Sequence, residues 1–359
     1  MGLPARNRVA VYHSNRDLRI EARDLPSLGP GELLLEVTAS GICGSDLMEW
    51  YRRPRAPAVL GHEVAGRVAA VGAGVERFRP GDRVVATHHV PCLACRYCRT
   101  GRETACETLH RTSFDPGGFA AYLRVPALNL AQGGVLPLPA QVSDDAGSMV
   151  EPLGCVVRAQ RKAGVGPGDT VLILGAGVSG CLHLLAARAR GAARVIAVDP
   201  APERRRFAER LGADCALDPA APLVEALRGT LGGAGAKAGP GAGADRVIVC
   251  TAARAAVTAA LEAVDRGGTV LFFAPLEPGE VLPVPFNAVF WHRQATLTSS
   301  YGAAPADLAE ALELIASGRA DVSPLVTHRL PLGEIGRGFE LMLEARDSLK
   351  VIVDPRLDG

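Results

Sequence analysis

Aromatic residues make up only 4% of the chain, and neither sign of charge dominates: 39 lysines and arginines face 38 aspartates and glutamates, a net charge of +1. Such a balance generates no strong field for nucleic acid or an anionic membrane. No uncharged apolar run approaches the roughly 18 residues that a membrane span needs. The opening MGLPARNRVAVYHSNRD lacks the apolar core of a secretory signal. A disulfide framework is missing too, because nine cysteines are an odd number in a long chain without a signal. The expectation is a cytoplasmic protein whose partner is a small molecule, not nucleic acid or a membrane.

What is present suits two packed domains: 359 residues exceed one core of usual size, and 48% of them are hydrophobic. The first 155 residues are punctuated by Gly and Pro, with short apolar runs such as LLLEV (33–37) and VAGRVAAVG (64–72). They predict an irregular, mostly β domain. From about Thr170 the texture changes to TVLIL, an Ala/Leu-rich stretch, RVIAV, PERRRFAERLG, DRVIVC and GGTVLFFA. Strand and helix alternate there, which predicts βαβ units and a parallel sheet. The tract at 232–244, eleven of thirteen residues Gly or Ala, reads as a flexible surface excursion. A helix over about 305–317 and a short β-type tail, LKVIVD, close the chain. Cys181, Cys215 and Cys250 fall in apolar patterns and are expected as buried thiols.

GAGVSG, with Gly175, Gly177, Ser179 and Gly180, follows a predicted strand and opens a predicted helix; Asp199 ends the next strand 24 residues on. That context fits a dinucleotide site, in which glycines admit a pyrophosphate to a helix N-terminus. Asp199 would accept hydrogen bonds from the ribose hydroxyls and repel a 2′-phosphate, which favours NAD over NADP. Arg204, within ERRR (203–206), stands against that, since an arginine there can hold a phosphate.

Cys92, Cys95, Cys98 and Cys106 are spaced C-x2-C-x2-C-x7-C. Four thiolates satisfy tetrahedral Zn²⁺ and leave no open position, so this lobe is read as structural. Chemistry is expected instead at GICGSD (41–46) and GHEVAG (61–66), where Cys43, His62 and Glu63 are all zinc-compatible ligands. A catalytic zinc needs about three of them and one open position.

Taken in order, GICGSD, GHEVAG, the four-cysteine lobe, GGFAAYLRVP (117–126), EPLGC (151–155) and GAGVSG resemble the zinc-dependent medium-chain alcohol dehydrogenases. The similarity runs nearly end to end and is greatest to the polyol (sorbitol) and threonine dehydrogenase branch. The resemblance implies a GroES-like, mostly-β catalytic domain over 1–155, completed by 301–359, and a Rossmann NAD-binding domain over 156–300. It implies two zincs per chain, one catalytic and one structural, and a homotetramer or homodimer. Glu151 falls where the polyol branch has a glutamate beside the metal, Ser45 where the family has a proton-accepting hydroxyl, and Asp46 where it would orient His62. Cys155 matches no ligand and is assigned to packing. The implied reaction is oxidation of a secondary alcohol of a polyol, cyclitol or sugar derivative, by hydride transfer from a zinc-bound alkoxide to NAD⁺. An L-threonine or other amino-alcohol 3-dehydrogenase is the alternative, and a catalytically silent nucleotide-binding member of the fold is a third reading.

The chain departs from the family at Met48, where many relatives have a histidine, so proton export needs another route. His89, which by the resemblance matches a polar position of threonine-dehydrogenase-like relatives, is either a candidate for it or a surface histidine. Arg52, Arg53 and Arg55 of YRRPR (51–55) are either a solvated loop or a site for a phosphate or carboxylate on the substrate.

Overall fold

The structure, a computed structural model, describes residues 3–232 and 243–358. Most of the Gly/Ala-rich tract at 232–244 lies outside them. The chain divides into two compact units, Met1–Gly154 with Gly302–Gly359, and Cys155–Tyr301. The first unit begins with β1 (Asn7–Ser14), β2 (Asp17–Arg23), β3 (Leu33–Gly41), β4 (Ala58–Val59), β5 (Glu63–Val71), β6 (Arg83–Ala86), β7 (Tyr122–Val125) and β8 (Val135–Pro137). The second contributes β9 (Thr170–Leu174), β10 (Arg194–Val198), β11 (Cys215–Leu217), β12 (Ala244–Val249), β13 (Val264–Phe272) and β14 (Thr296–Ser299). After these, β15 (Val326–Pro331) and β16 (Lys350–Asp354) return to the first unit.

In the first unit a seven-stranded sheet runs β15-β16-β3-β5-β6-β8, with β7 also paired to β3, beside a smaller sheet of β2-β1-β4. β3 sits in the middle and is buried along almost its whole length, as its run LLLEV requires. Two antiparallel registers matter for the chemistry. Gly41, the last residue of β3, pairs with Glu63, the first of β5, and the same Gly41 pairs with Ile352 of β16. The loop carrying Cys43 therefore leaves the sheet beside Glu63 and beside the strand that ends the chain. Gly41 has to be small there, because a Cβ on it would strike the Glu63 carboxylate.

The second unit is a six-stranded sheet in the order β11-β10-β9-β12-β13-β14, with every pairing parallel. This is the doubly wound dinucleotide-binding order, which reverses direction at β9. Side chains of β9 alternate between two cores: Leu172 and Leu174 join Ile196, Val198, Val247 and Val249, whereas Val171 and Ile173 join Val195, Ala197 and Ile248. A sheet covered on both faces reads as uninterrupted apolar strands, which is the pattern of TVLIL and RVIAV. The helix Pro202–Arg210 stops at Gly212, whose φ of +109° a side chain rarely adopts. Of the three cysteines expected to be buried, Cys181 is, but Cys215 and Cys250 are only half-buried. Cys215 lies on β11, which ends the sheet and is covered on fewer sides.

Candidate active site and dinucleotide site

The register of β3 and β5 brings Cys43, His62 and Glu63 together, each offering one ligand atom, all within 4.8 Å of one another. Asp46 begins to explain how the group is held. Its side chain is fully buried; Oδ2 accepts from the Cys43 amide at 3.1 Å, and Oδ1 lies 3.6 Å from His62 Nδ1. Nδ1 faces a carboxylate, which leaves Nε2 as the ring nitrogen for a metal. Burial raises the Asp46 pKa, but the charge and hydrogen bond of His62, and the charge of Arg52, outweigh it and hold the carboxyl below its usual range. Burial likewise opposes charge on His62, yet Asp46 and Cys43 hold its pKa well above the ordinary value. The surrounding negative groups that favour positive charge on His62 would equally favour a cation such as Zn²⁺. Glu63 Oε1 is buried without a hydrogen-bond partner, which fits an oxygen that ligates a cation. Sulfur, nitrogen and oxygen donors in one closed group suit zinc.

Glu151, near the start of the helix Val150–Ala163, is buried but lies outside that set. Ser45 stands two residues past Cys43, its amide donating to Cys43 Sγ at 3.4 Å. Its hydroxyl accepts from Arg52 Nη2 at 2.9 Å, while Arg52 Nε donates to the Ser45 carbonyl at 3.0 Å. Arg52 also lies 3.3 Å from Asp46. Of the three arginines of the loop, Arg52 thus turns inward to the site, whereas Arg53 and Arg55 are exposed. A guanidinium has no acceptor, so no proton leaves Ser45 through Arg52.

His88 packs between His62 and His89, ring centroids 4.9 and 3.7 Å away. Burial, with His89 and His62 beside it, keeps its pKa well below the ordinary value, so the ring stays neutral. Its Nδ1 is buried without a partner. His89 is brought down to about 4, chiefly by burial. Its Nδ1 donates to the Thr112 carbonyl at 2.9 Å, leaving Nε2 as the acceptor nitrogen. Sequence reasoning passed over His88 and Lys350, whose Nζ donates to Glu63 Oε2. The doubled histidine in THHVPC was a signal for the first; the second, in the tail SLKVIVD, had none.

The four lobe cysteines also come together, and none is in a disulfide. Sulfur–sulfur distances are 3.5 Å for Cys95–Cys98, 3.6 Å for Cys92–Cys106 and 4.0 Å for Cys92–Cys98. A tetrahedron with Zn–S of about 2.3 Å has edges of about 3.8 Å, so the spacing fits a zinc ion. Backbone amides of Cys95 and Cys92 donate to the sulfurs of Cys92 and Cys106, as thiolates require.

At the C-terminal end of β9, Gly175 has φ +99° and Gly177 caps the helix Val178–Ala189. A Cβ on Gly180 would strike the Gly175 carbonyl, so only glycine lets helix and strand pack this closely. Ser179 lies half-buried in the first turn. Asp199 is buried at the end of β10, its oxygens accepting from the Ala176 and Ala201 amides at 2.9 Å each. Arg204 Nη1 stands 4.0 Å from Asp199 Oδ2. The carboxylate expected for ribose and the arginine that could take a phosphate are therefore neighbours.

Comparison with known proteins shows the family. Residues 29–140 match the alcohol dehydrogenase GroES-like domain, and residues 178–317 match the zinc-binding dehydrogenase domain. The chain belongs to the zinc-binding alcohol dehydrogenases. It is 33% identical to sorbitol dehydrogenase of Gallus gallus, covering 95% of this chain and 94% of that one. It is 31% identical to L-galactonate-5-dehydrogenase of Escherichia coli K12, covering 96% and 98%. Among solved structures, a presumed zinc-binding dehydrogenase of Sinorhizobium meliloti 1021, bound to NADP, superposes with a TM-score of 0.84 at 29% identity. It covers 98% of this chain and 100% of that one. This zinc-binding dehydrogenase is an oxidoreductase for alcohols or polyols that works with zinc and a nicotinamide dinucleotide, on a GroES-like and Rossmann fold. Among its described residues, no helix is long and apolar enough to cross a membrane.

Proposed function

We propose that this dehydrogenase oxidises a secondary alcohol of a polyol, cyclitol or sugar derivative to a ketone with NAD⁺. The observation that carries the reading is the convergence of Cys43, His62 and Glu63 beside Ser45. When bound there, zinc supplies acidity, making an alcohol far easier to deprotonate than it is free in water. The Ser45 hydroxyl, one lone pair taken by Arg52, offers the other to the departing alcohol proton and gives up its own O–H proton towards solvent. Asp46 keeps His62 oriented. Glu151 stands by as an exchangeable carboxylate, and His89 Nε2 is the acceptor nearest in kind to the histidine that Met48 replaces. Cys92, Cys95, Cys98 and Cys106 hold the structural zinc. Gly175, Gly177, Ser179 and Gly180 seat the pyrophosphate, and Asp199 takes the ribose hydroxyls.

The polyol reading is favoured over the amino-alcohol one by the sorbitol and galactonate dehydrogenases to which the chain is similar. The complete ligand set speaks against a silent member of the fold. A homo-oligomer is supported by the second unit, where β14 ends the sheet and Phe286, Phe290 and Trp291 are exposed just before it. Balanced charge gives no support to nucleic-acid or membrane partners.

The test is NADH formation across polyols, cyclitols, sugar acids, their phosphates and L-threonine, with and without a chelator. Chelator-sensitive turnover of a polyol or sugar acid is expected. Turnover of L-threonine alone, or none with two zincs bound, overturns the substrate class.

A further inference from the structure

Arg52 ties the short helix Glu49–Arg52 to Ser45, so the residues around it keep a set place beside the reacting groups. That helix and the turn after it form a shallow, open groove of about 450 Å³, lined by Glu49, Trp50, Arg53 and Pro54. Trp50 is 41% exposed there. A glutamate followed four residues later by an arginine on one helical turn ordinarily pairs with it. Glu49 and Arg53 do not, and among the described residues neither side chain has an ion-pair partner, although both line the groove and both charges act on the Tyr12 hydroxyl. Arg55 adds a further cation, its guanidinium 4.7 Å from the centre of the Tyr51 ring, with that of Arg52 at 4.8 Å. Of these three guanidiniums only Arg52 has a carboxylate beside it, that of Asp46. The groove therefore carries an excess of positive charge, which draws anions.

Resting on the reading that an alcohol is oxidised beside Ser45, we propose that this groove receives the far end of the substrate and selects one that ends in an acid. Arg53 takes the acidic group, carboxylate or phosphate, in its planar fork. Glu49, an acceptor only, takes hydroxyl protons along the chain. The exposed face of Trp50 covers the C–H side between them. An apolar alcohol leaves both charges bare, and a neutral polyol leaves Arg53 without its anion. The substrate class narrows to a polyhydroxy acid or a sugar-alcohol phosphate. Arg52 stays with Ser45, so proton transfer and recognition of the far end fall to different arginines.

The experiment gives the zinc-loaded full chain and NAD⁺ three substrates of equal carbon number: an alditol, its aldonate and its phosphate ester. kcat/KM for one of the acids should exceed that for the alditol at least tenfold, and added salt should shrink the ratio. The acid preferred says which group Arg53 holds. Arg53→Gln should raise KM for that acid at least tenfold and bring the ratio near one, and Arg53→Lys should keep part of it. Binding is read apart from turnover. In Trp291→Phe the single tryptophan left is Trp50, and its fluorescence should respond to the acid at concentrations where the alditol has no effect. If that variant does not fold, the difference between the parent and Trp50→Phe gives the same signal. An alditol used as well as both acids, or an equal rise in KM for alditol and acid in Arg53→Gln, overturns the proposal. Turnover of the acid with no Trp50 response overturns it too. A Trp50 response to the acid without any turnover supports the groove and overturns the alcohol-oxidation reading instead.

Discussion

Ser45 carries its hydroxyl between two demands, one from the substrate side and one from Arg52. The Arg52 guanidinium fixes both the carbonyl and the hydroxyl of this one residue, so it sets where the hydroxyl points. A hydrogen bond to a charged group contributes about 1.5–3 kcal/mol, and its loss should be felt in the chemical step. Arg52→Met is expected to lower kcat at least tenfold with a smaller change in KM, and Arg52→Lys to recover only part of it. Steady-state kinetics, with circular dichroism to confirm folding, checks this; unchanged kcat would mean that Arg52 only packs. The inward turn was not legible in YRRPR, where three arginines look alike. Which of them faces the site depends on the short helix Glu49–Arg52, whose last residue lies above Ser45.

Among elements, the strand–helix junction at Gly175–Gly180 is the tightest constraint. Gly180→Ala places a methyl group against the Gly175 carbonyl. Overpacking of this kind costs about 1–3 kcal/mol and pushes the helix N-terminus away from the place proposed for the pyrophosphate. A tenfold or greater weakening of NADH binding, read by fluorescence titration, should accompany a lower melting temperature. Normal binding would show that the junction can yield. This junction was legible because it is local: strand, glycines, helix and acid follow one another within about thirty residues. Cys43, His62 and Glu63 were legible for the same reason, as two short motifs. The pairing of Glu63 with Lys350 was not, since 287 residues separate them and only the registers of β16 and β5 on β3 bring them together. His88 was half legible: the doubled histidine marks the place, but not which of the two rings packs on His62.

For the molecule as a whole, His183 sets a pH dependence of stability. It is completely buried in the second unit, its ring edge-on to Phe273, and burial lowers its pKa to about 3. Gln160 donates to its Nδ1 at 3.3 Å. The unfolded chain takes up a proton below about pH 6.5, while the folded one refuses it until about pH 3. Stability from this group is therefore fully present above pH 6.5 and is lost as pH falls towards 3, about 5 kcal/mol across the window. Urea unfolding between pH 7 and 4.5 should show the decline, and His183→Gln should flatten it; an equal slope in both would assign the loss elsewhere. A different consequence follows from β16, which starts at Lys350, 287 residues after Glu63. A growing polypeptide has made Cys43, His62 and Glu63 long before the ribosome emits their lysine partner. The second unit has all its strands by Ser299 and can fold while synthesis continues. The sheet around Glu63 must wait, so the group around Glu63 is finished only after Lys350, 287 residues later, has been made.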